Sequence, residues 1–174
     1  LAAAAPAVKT RSLAALIEFN RTTARETVLF GQELFEAAAR APSLEDPAYR
    51  LQRATARRLA GPEGLDRMMQ TANVEVLVAP TSSPATLVDP VNRVPFLGSP
   101  SSLPAVAGYP HLTVPMGDVD GLPIGLSFIG SRWSDARILA FGFAFERRAH
   151  AYEVPMFPAS ISQRPGIADA YAHR

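Results

Sequence analysis

AVAGYPHLTVPMGDVDGLPIGLSFIG, residues 105–130, decides how this chain is read. Five glycines and three prolines punctuate short apolar runs there, so the stretch divides into defined pieces. HLTVP at 111–115 and IGLSFIG at 124–130 have strand character, and MGDVDGLP between them is a hairpin-like connection. Gly117 and Gly121 supply positive φ in that connection, Pro123 ends it, and Asp118 and Asp120 are turn formers. Gly125 inside the second strand points to a bulge or a close backbone approach. Leu103–Ala107 reads as a short helix closed by Gly108 as its C′ glycine.

Helices are expected upstream. Ser12 is placed to cap a helix beginning at Leu13, with Leu13, Leu16 and Ile17 on one apolar stripe. A second helical stretch is expected from Glu26, with Leu29, Phe30, Leu34 and Phe35 in register and Pro42 as its stop. Asp46-Pro47 is an N-cap followed by proline at N1, opening an arginine-rich helix over 48–60 whose charges form a solvated face. Gly61-Pro62 is expected to break that helix and start another, with Leu65, Met68, Met69 and Ala72 as its apolar stripe. Val74–Ala79 reads as a buried strand, followed by a long proline- and serine-rich loop to Pro110. Downstream, Ser134 is expected to cap a helix to about Ala149. Its Ile138, Leu139, Phe141, Phe143 and Phe145 predict burial nearly all round. The organisation expected is one partial domain over 1–174: a helical part about 11–73, a strand, loop and helix part about 74–150, and an irregular tail 151–174.

Composition narrows the chemistry. With 174 residues, 48% hydrophobic and 19% charged, the chain is globular rather than disordered. A net charge of +1 argues against nucleic-acid or membrane-surface partners. No apolar run is long enough to span a bilayer, and the expected location is the cytoplasm. The absence of Cys removes thiolate metal sites and Cys nucleophiles. Three dispersed His give no metal ligand cluster, and no cofactor is implied. Arginine outnumbers lysine sixteen to one, and the single lysine, Lys9, lies in an alanine-rich segment with no sign of the burial a catalytic lysine needs. A triad of a loop serine, His111 and Asp89 lacks a G-x-S-x-G elbow, and His111 at a strand start reads as structural.

AGYPHLTVPMG at 107–117, GLPIGLSFIG at 121–130 and Ser-Asp-Ala-Arg at 134–137 together resemble the C-terminal part of the amidase signature family. FNR at 19–21, FGQELFEAA at 30–38, RRLAGPEGLD at 57–66 and VLVAPT at 76–81 agree with it, in the expected order. The resemblance runs from about Leu13 to His150 and implies an α/β fold, a mixed β-sheet flanked by helices. It also implies cleavage or transfer at an amide carbonyl by a Ser–Ser–Lys triad in a Gly/Ser-rich segment.

No such segment occurs here. The Ser-Ser pairs, Ser82-Ser83 and Ser101-Ser102, lack glycine neighbours that would turn backbone N–H groups toward an oxyanion. The chain is therefore expected to supply sheet core and pocket loops but no catalytic residue, and to partner a small amide substrate and the missing N-terminal part of the amidase fold. The opening Leu1 fits a fragment or a processed piece. The resemblance points to the loops after 74–79 and before 111–115 as the pocket wall, with Thr81, Ser82, Asn92, Ser99, Ser101 and Ser102 as candidate substrate-binding residues and Phe96 and Leu97 making it apolar. A fragment of an amidotransferase A-type subunit, and a non-catalytic interaction domain descended from an amidase, remain as alternatives.

Overall fold

The computed structural model describes residues 7–28, 30–86 and 98–154. Leu29, Asp89, Asn92, Phe96, Leu97 and the tail after Val154 lie outside them. Contacts divide the chain into two units, one up to Arg53 and one from Ala54 onward. In the first, α1 (Leu13–Thr22) is capped as its sequence predicts: Ser12 Oγ accepts from the Ala15 N–H at 3.1 Å. The expected second helix is two pieces, α2 (Ala24–Thr27) and α3 (Glu33–Ala39). Gly31 lies in the break, and Phe30 and Leu34 are exposed, so no apolar stripe holds the pieces together.

The second unit begins within α4 (Pro47–Ala60), whose N-terminus is capped by Asp46 Oδ1 accepting from Ala48 N and Tyr49 N. Its arginines are exposed, and Arg58 pairs with Glu63 at the surface, where such a pair contributes little. Gly61-Pro62 does not break the coil. Gly61–Asp66 forms a π-helical turn that leads straight into α5 (Arg67–Ala72). The wider turn carries the chain past Pro62, which has no N–H to donate and whose ring would crowd the preceding turn of an ordinary α-helix. Leu65 and Met69 enter the core while Met68 stays out, so only half of the methionine pair is filler.

The strand after α5 starts later than its sequence suggests. It is β1 (Leu77–Pro80), and it includes the proline expected to end it. Among the described residues β1 is an edge strand, where a missing N–H is tolerated. Helix α6 (Ser102–Ala107) ends on Gly108 at φ +74° as expected. β2 (His111–Val119) and β3 (Leu122–Ile129) form the expected hairpin, with longer strands and a tighter turn. Asp120 and Gly121 have φ +53° and +72°, the two positive values a two-residue hairpin turn requires, and Asp118 Oδ1 accepts from Gly121 N. The irregularity in the ladder lies between Pro115 and Gly117, on the strand facing Gly125, which pairs with Pro115 beside it.

The three strands run β1-β3-β2, and every pairing is antiparallel. One face carries Leu112, Val114, Leu126 and Phe128 and is covered by α7 (Asp135–Ala149) through Ile138, Phe141 and Phe145. The Phe128 and Phe145 rings meet at 5.8 Å and 60°. Burial of such side chains stabilises by about 1.5–3 kcal/mol each. Two expectations about α7 are corrected. Ser134 does not cap it through its side chain; the Ser134 hydroxyl instead donates to Ser131 O at 2.7 Å. Nor is the helix buried all round, because Leu139 and Phe143 are 60% and 61% exposed.

On the sheet's other face, Ile129 and Leu77 pack on Ala60, Leu65, Met69, Ala107 and Tyr109. The Tyr109 hydroxyl donates to Asp66 Oδ2 at 2.6 Å, fastening the start of β2 to the π-helical turn. Burial, reinforced by the neighbouring carboxylate, pushes the Tyr109 phenol up to about 12, so it stays a donor throughout the ordinary pH range. Tyr109→Phe is expected to lower stability by about 1–3 kcal/mol, since it strips a part-buried carboxylate of its donor. Denaturant unfolding of the two proteins checks this; an unchanged midpoint would show that the bond is idle.

Candidate functional site

The second face of the sheet holds a row of polar and small residues. Strand alternation that sends Leu112, Val114, Leu126 and Phe128 toward α7 sends His111, Thr113, Gly125 and Ser127 the other way. Thr113 and Ser127 are cross-strand partners, and Thr81 follows β1 with its N–H donating to Gly125 O at 2.8 Å. These placements join four side chains in series. Thr113 Oγ1 is hydrogen-bonded to Thr81 Oγ1, Thr81 Oγ1 lies 2.9 Å from Ser127 Oγ, and Ser127 Oγ lies 2.7 Å from His111 Nε2. The row exists because position 125 is glycine: a Cβ there would come within 2.5 Å of Thr113 Oγ1 and 3.0 Å of Thr81 Oγ1.

A branch leaves the same node. Ser99 Oγ donates to the Thr81 carbonyl at 2.9 Å and lies 3.0 Å from Ser101 Oγ, and Ser101 N donates to Ser99 Oγ. Three of the candidate wall residues, Thr81, Ser99 and Ser101, are thus brought together. Ser82 is exposed in the bend after Thr81, and Ser102 is exposed at the start of α6. Asn92 lies outside the described residues.

Ser127 and His111 sit at the separation of a nucleophile and its base, yet they cannot work as one. Ser127 is 0% exposed, so no substrate reaches its hydroxyl. His111 takes this strand serine as its partner, not the loop serine of a conventional triad. Burial lowers the His111 pKa from its ordinary 6.5, keeping the ring neutral at pH 7. Lys9 is exposed, not set in a buried pocket. The row can therefore carry a directed series of hydrogen bonds but offers no accessible activated nucleophile.

A separate cavity of about 380 Å³ is lined by Asp66, Met69, Gln70, Glu75, Ser134 and Arg137, among others. Asp66 Oδ1 is buried there without a hydrogen-bond partner, and Arg137 pairs with Glu75 at the exposed rim. Among the described residues no group of three or more His, Asp or Glu could hold a metal, and no helix is long and apolar enough to cross a membrane.

The sequence model of the Amidase family matches residues 4–139. The chain belongs to the amidase signature family. Among solved structures it is similar to the native peptide amidase from Stenotrophomonas maltophilia. Identity is 44% and the TM-score 0.77, over 87% of this chain and 31% of that one. A probable amidase of Arabidopsis thaliana is 30% identical over 86% of this chain and 26% of its own length. The A-type subunit of the glutamyl-tRNA(Gln) amidotransferase from Methanococcoides burtonii is 36% identical over 44% of this chain and 17% of its own. The chain thus spans less than a third of the length of each of these relatives.

Thr113 and Ser127, the two members of the row that sequence reasoning does not single out, belong to no motif that marks them as functional. Their signal is nonetheless present: in H-L-T-V and G-L-S-F the residues alternating with the apolar ones are small or polar in both strands. Two outcomes follow. Gly125→Ala is expected to destabilise by about 1–3 kcal/mol by overpacking the threonine pair, measured by thermal or denaturant melts. Because the His111 pKa is lower folded than unfolded, its stabilising contribution is full above 6.5 and is lost as pH falls below that toward the folded value. The melting temperature should therefore drop on acidification through that range, and His111→Gln should flatten the drop; identical profiles would contradict this.

Proposed function

We propose that this chain is the C-terminal portion of an amidase that cleaves a carboxamide C–N bond, with peptide amides or small amides as the substrate class. It contributes sheet core and one wall of the substrate pocket; the Ser–Ser–Lys triad belongs to another part of the longer protein. The observation that carries this reading is the 44% identity to a peptide amidase across 87% of the chain. The polar row supports it, since Thr81, Ser99 and Ser101 present hydroxyls from a loop beside a rigid sheet, the usual placing of binding groups. The remainder of the fold is the proposed partner for the apolar side chains left open here, Leu139 and Phe143 on α7 and Val78 on β1.

The full-length protein should release ammonia from a C-terminally amidated peptide, and the 174-residue chain alone should not. Turnover by the isolated chain that vanishes in Ser82→Ala or Ser101→Ala would overturn this division of labour. The similarity to the amidotransferase supports a second reading, a piece of an A-type subunit of that enzyme. Full-length protein active only in a glutamyl-tRNA-dependent assay, and inert toward peptide amides, would favour it.

A further inference from the structure

We infer that His111 and Ser127 are positioning residues for the pocket wall, acting on Thr81, Ser99 and Ser101 rather than on substrate. The inference rests on the amidase reading above.

Ser127 has no exposed surface, so its hydroxyl serves only its neighbours. Both of its bonds run sideways from the central strand, one to the residue just past the end of β1 and one to the first residue of β2. The backbone ladder already sets strand register without them. What the ladder does not set is the rotamer of Thr81, the last residue its hydrogen bonds hold before the loop. When the chain returns, Ser99 attaches to the carbonyl of that same residue and carries Ser101 with it. Thr81 thus holds Ser127 through its side chain and Ser99 through its carbonyl, so one residue links the buried serine to the two serines of the wall.

The tautomer of His111 gives the row its direction, and the case with the ring proton on Nδ1 runs as one series. Each hydroxyl has one proton to donate, and a neutral His111 with a bare Nε2 accepts. Thr113 then donates to Thr81, Thr81 to Ser127 and Ser127 to His111, and three protons fill three bonds. A protonated His111 can only donate from Nε2. The series reverses, and the proton of the exposed Thr113 hydroxyl is turned outward. Of the side chains opposite His111, Ile129 carries no charge and Ser127 does not titrate near neutrality. Burial alone accounts for the lowered pKa, with no charged group among the described residues contributing.

The test is steady-state kinetics of the full-length enzyme on a peptide amide, with thermal melts on the same proteins. Ser127→Ala and His111→Leu should raise KM about two- to tenfold, the range expected for one lost hydrogen bond, with kcat altered less than about twofold. His111→Gln, which can place a polar atom near the Nε2 position, should restore KM. Wild-type KM should rise as pH falls below 6.5, and the Gln variant should lack that rise. Variants that melt early with unaltered KM and the wild-type pH profile would overturn the inference, as would kcat falling at fixed KM. If the wild-type protein does not cleave peptide amides, the amidase reading fails by itself. Amide hydrogen exchange then decides the positioning role: Ser127→Ala should lose protection at Thr81 and Ser101, and unchanged protection would overturn it.

Discussion

A hydroxyl sealed inside a protein has to find partners, and Ser127 finds them on β2 and just past the end of β1. Leaving such a group unpaired costs about 1–3 kcal/mol, enough to matter in a domain whose net stability is of order 10 kcal/mol. Thr81 and His111 satisfy it from opposite sides, so the middle strand is joined to both edges by side chains as well as by the ladder. The requirement extends outward. Position 125 must be glycine to admit the threonine pair. Position 81 must fall just past the end of β1, and the opposite face must be wholly apolar so that α7 can close over it. The sheet's two faces thus do different things: one packs under α7 and the other carries the polar row.

The elements that are legible in the sequence are those with local causes. Ser12, Asp46 and Gly108 cap helices through bonds or backbone angles set within four residues, and Asp120-Gly121 makes its turn by conformation alone. The elements that sequence reasoning misplaces depend on what lies across the fold. Gly61-Pro62 carries two helix-breaking residues, but the chain passes them in a π-helical turn held by the core contacts of Leu65 and the Tyr109–Asp66 bond. β1 begins at Leu77 because that is where β3 offers partners, which no pattern inside NVEVLVAP reveals.

The site is legible in part for the same reason. Thr81, Ser99 and Ser101 are reached through the order of motifs along the chain, and they do converge. His111 reads as structural from its strand position and Ser127 draws no notice, because a polar residue in a strand acquires meaning only when its cross-strand neighbour is known. The apolar ring of residues on α7 reads as full burial. Leu139 and Phe143 instead face outward, consistent with a chain that spans only a fraction of its relatives' length.

Ser127 and His111 are bonded across the strands and should interact energetically rather than merely pack. A double-mutant cycle with Ser127→Ala, His111→Leu and the pair, read by denaturant unfolding, measures that interaction directly. The expected coupling energy is about 0.5–1.5 kcal/mol, the net value of one buried hydrogen bond. Strictly additive effects of the two substitutions would contradict it.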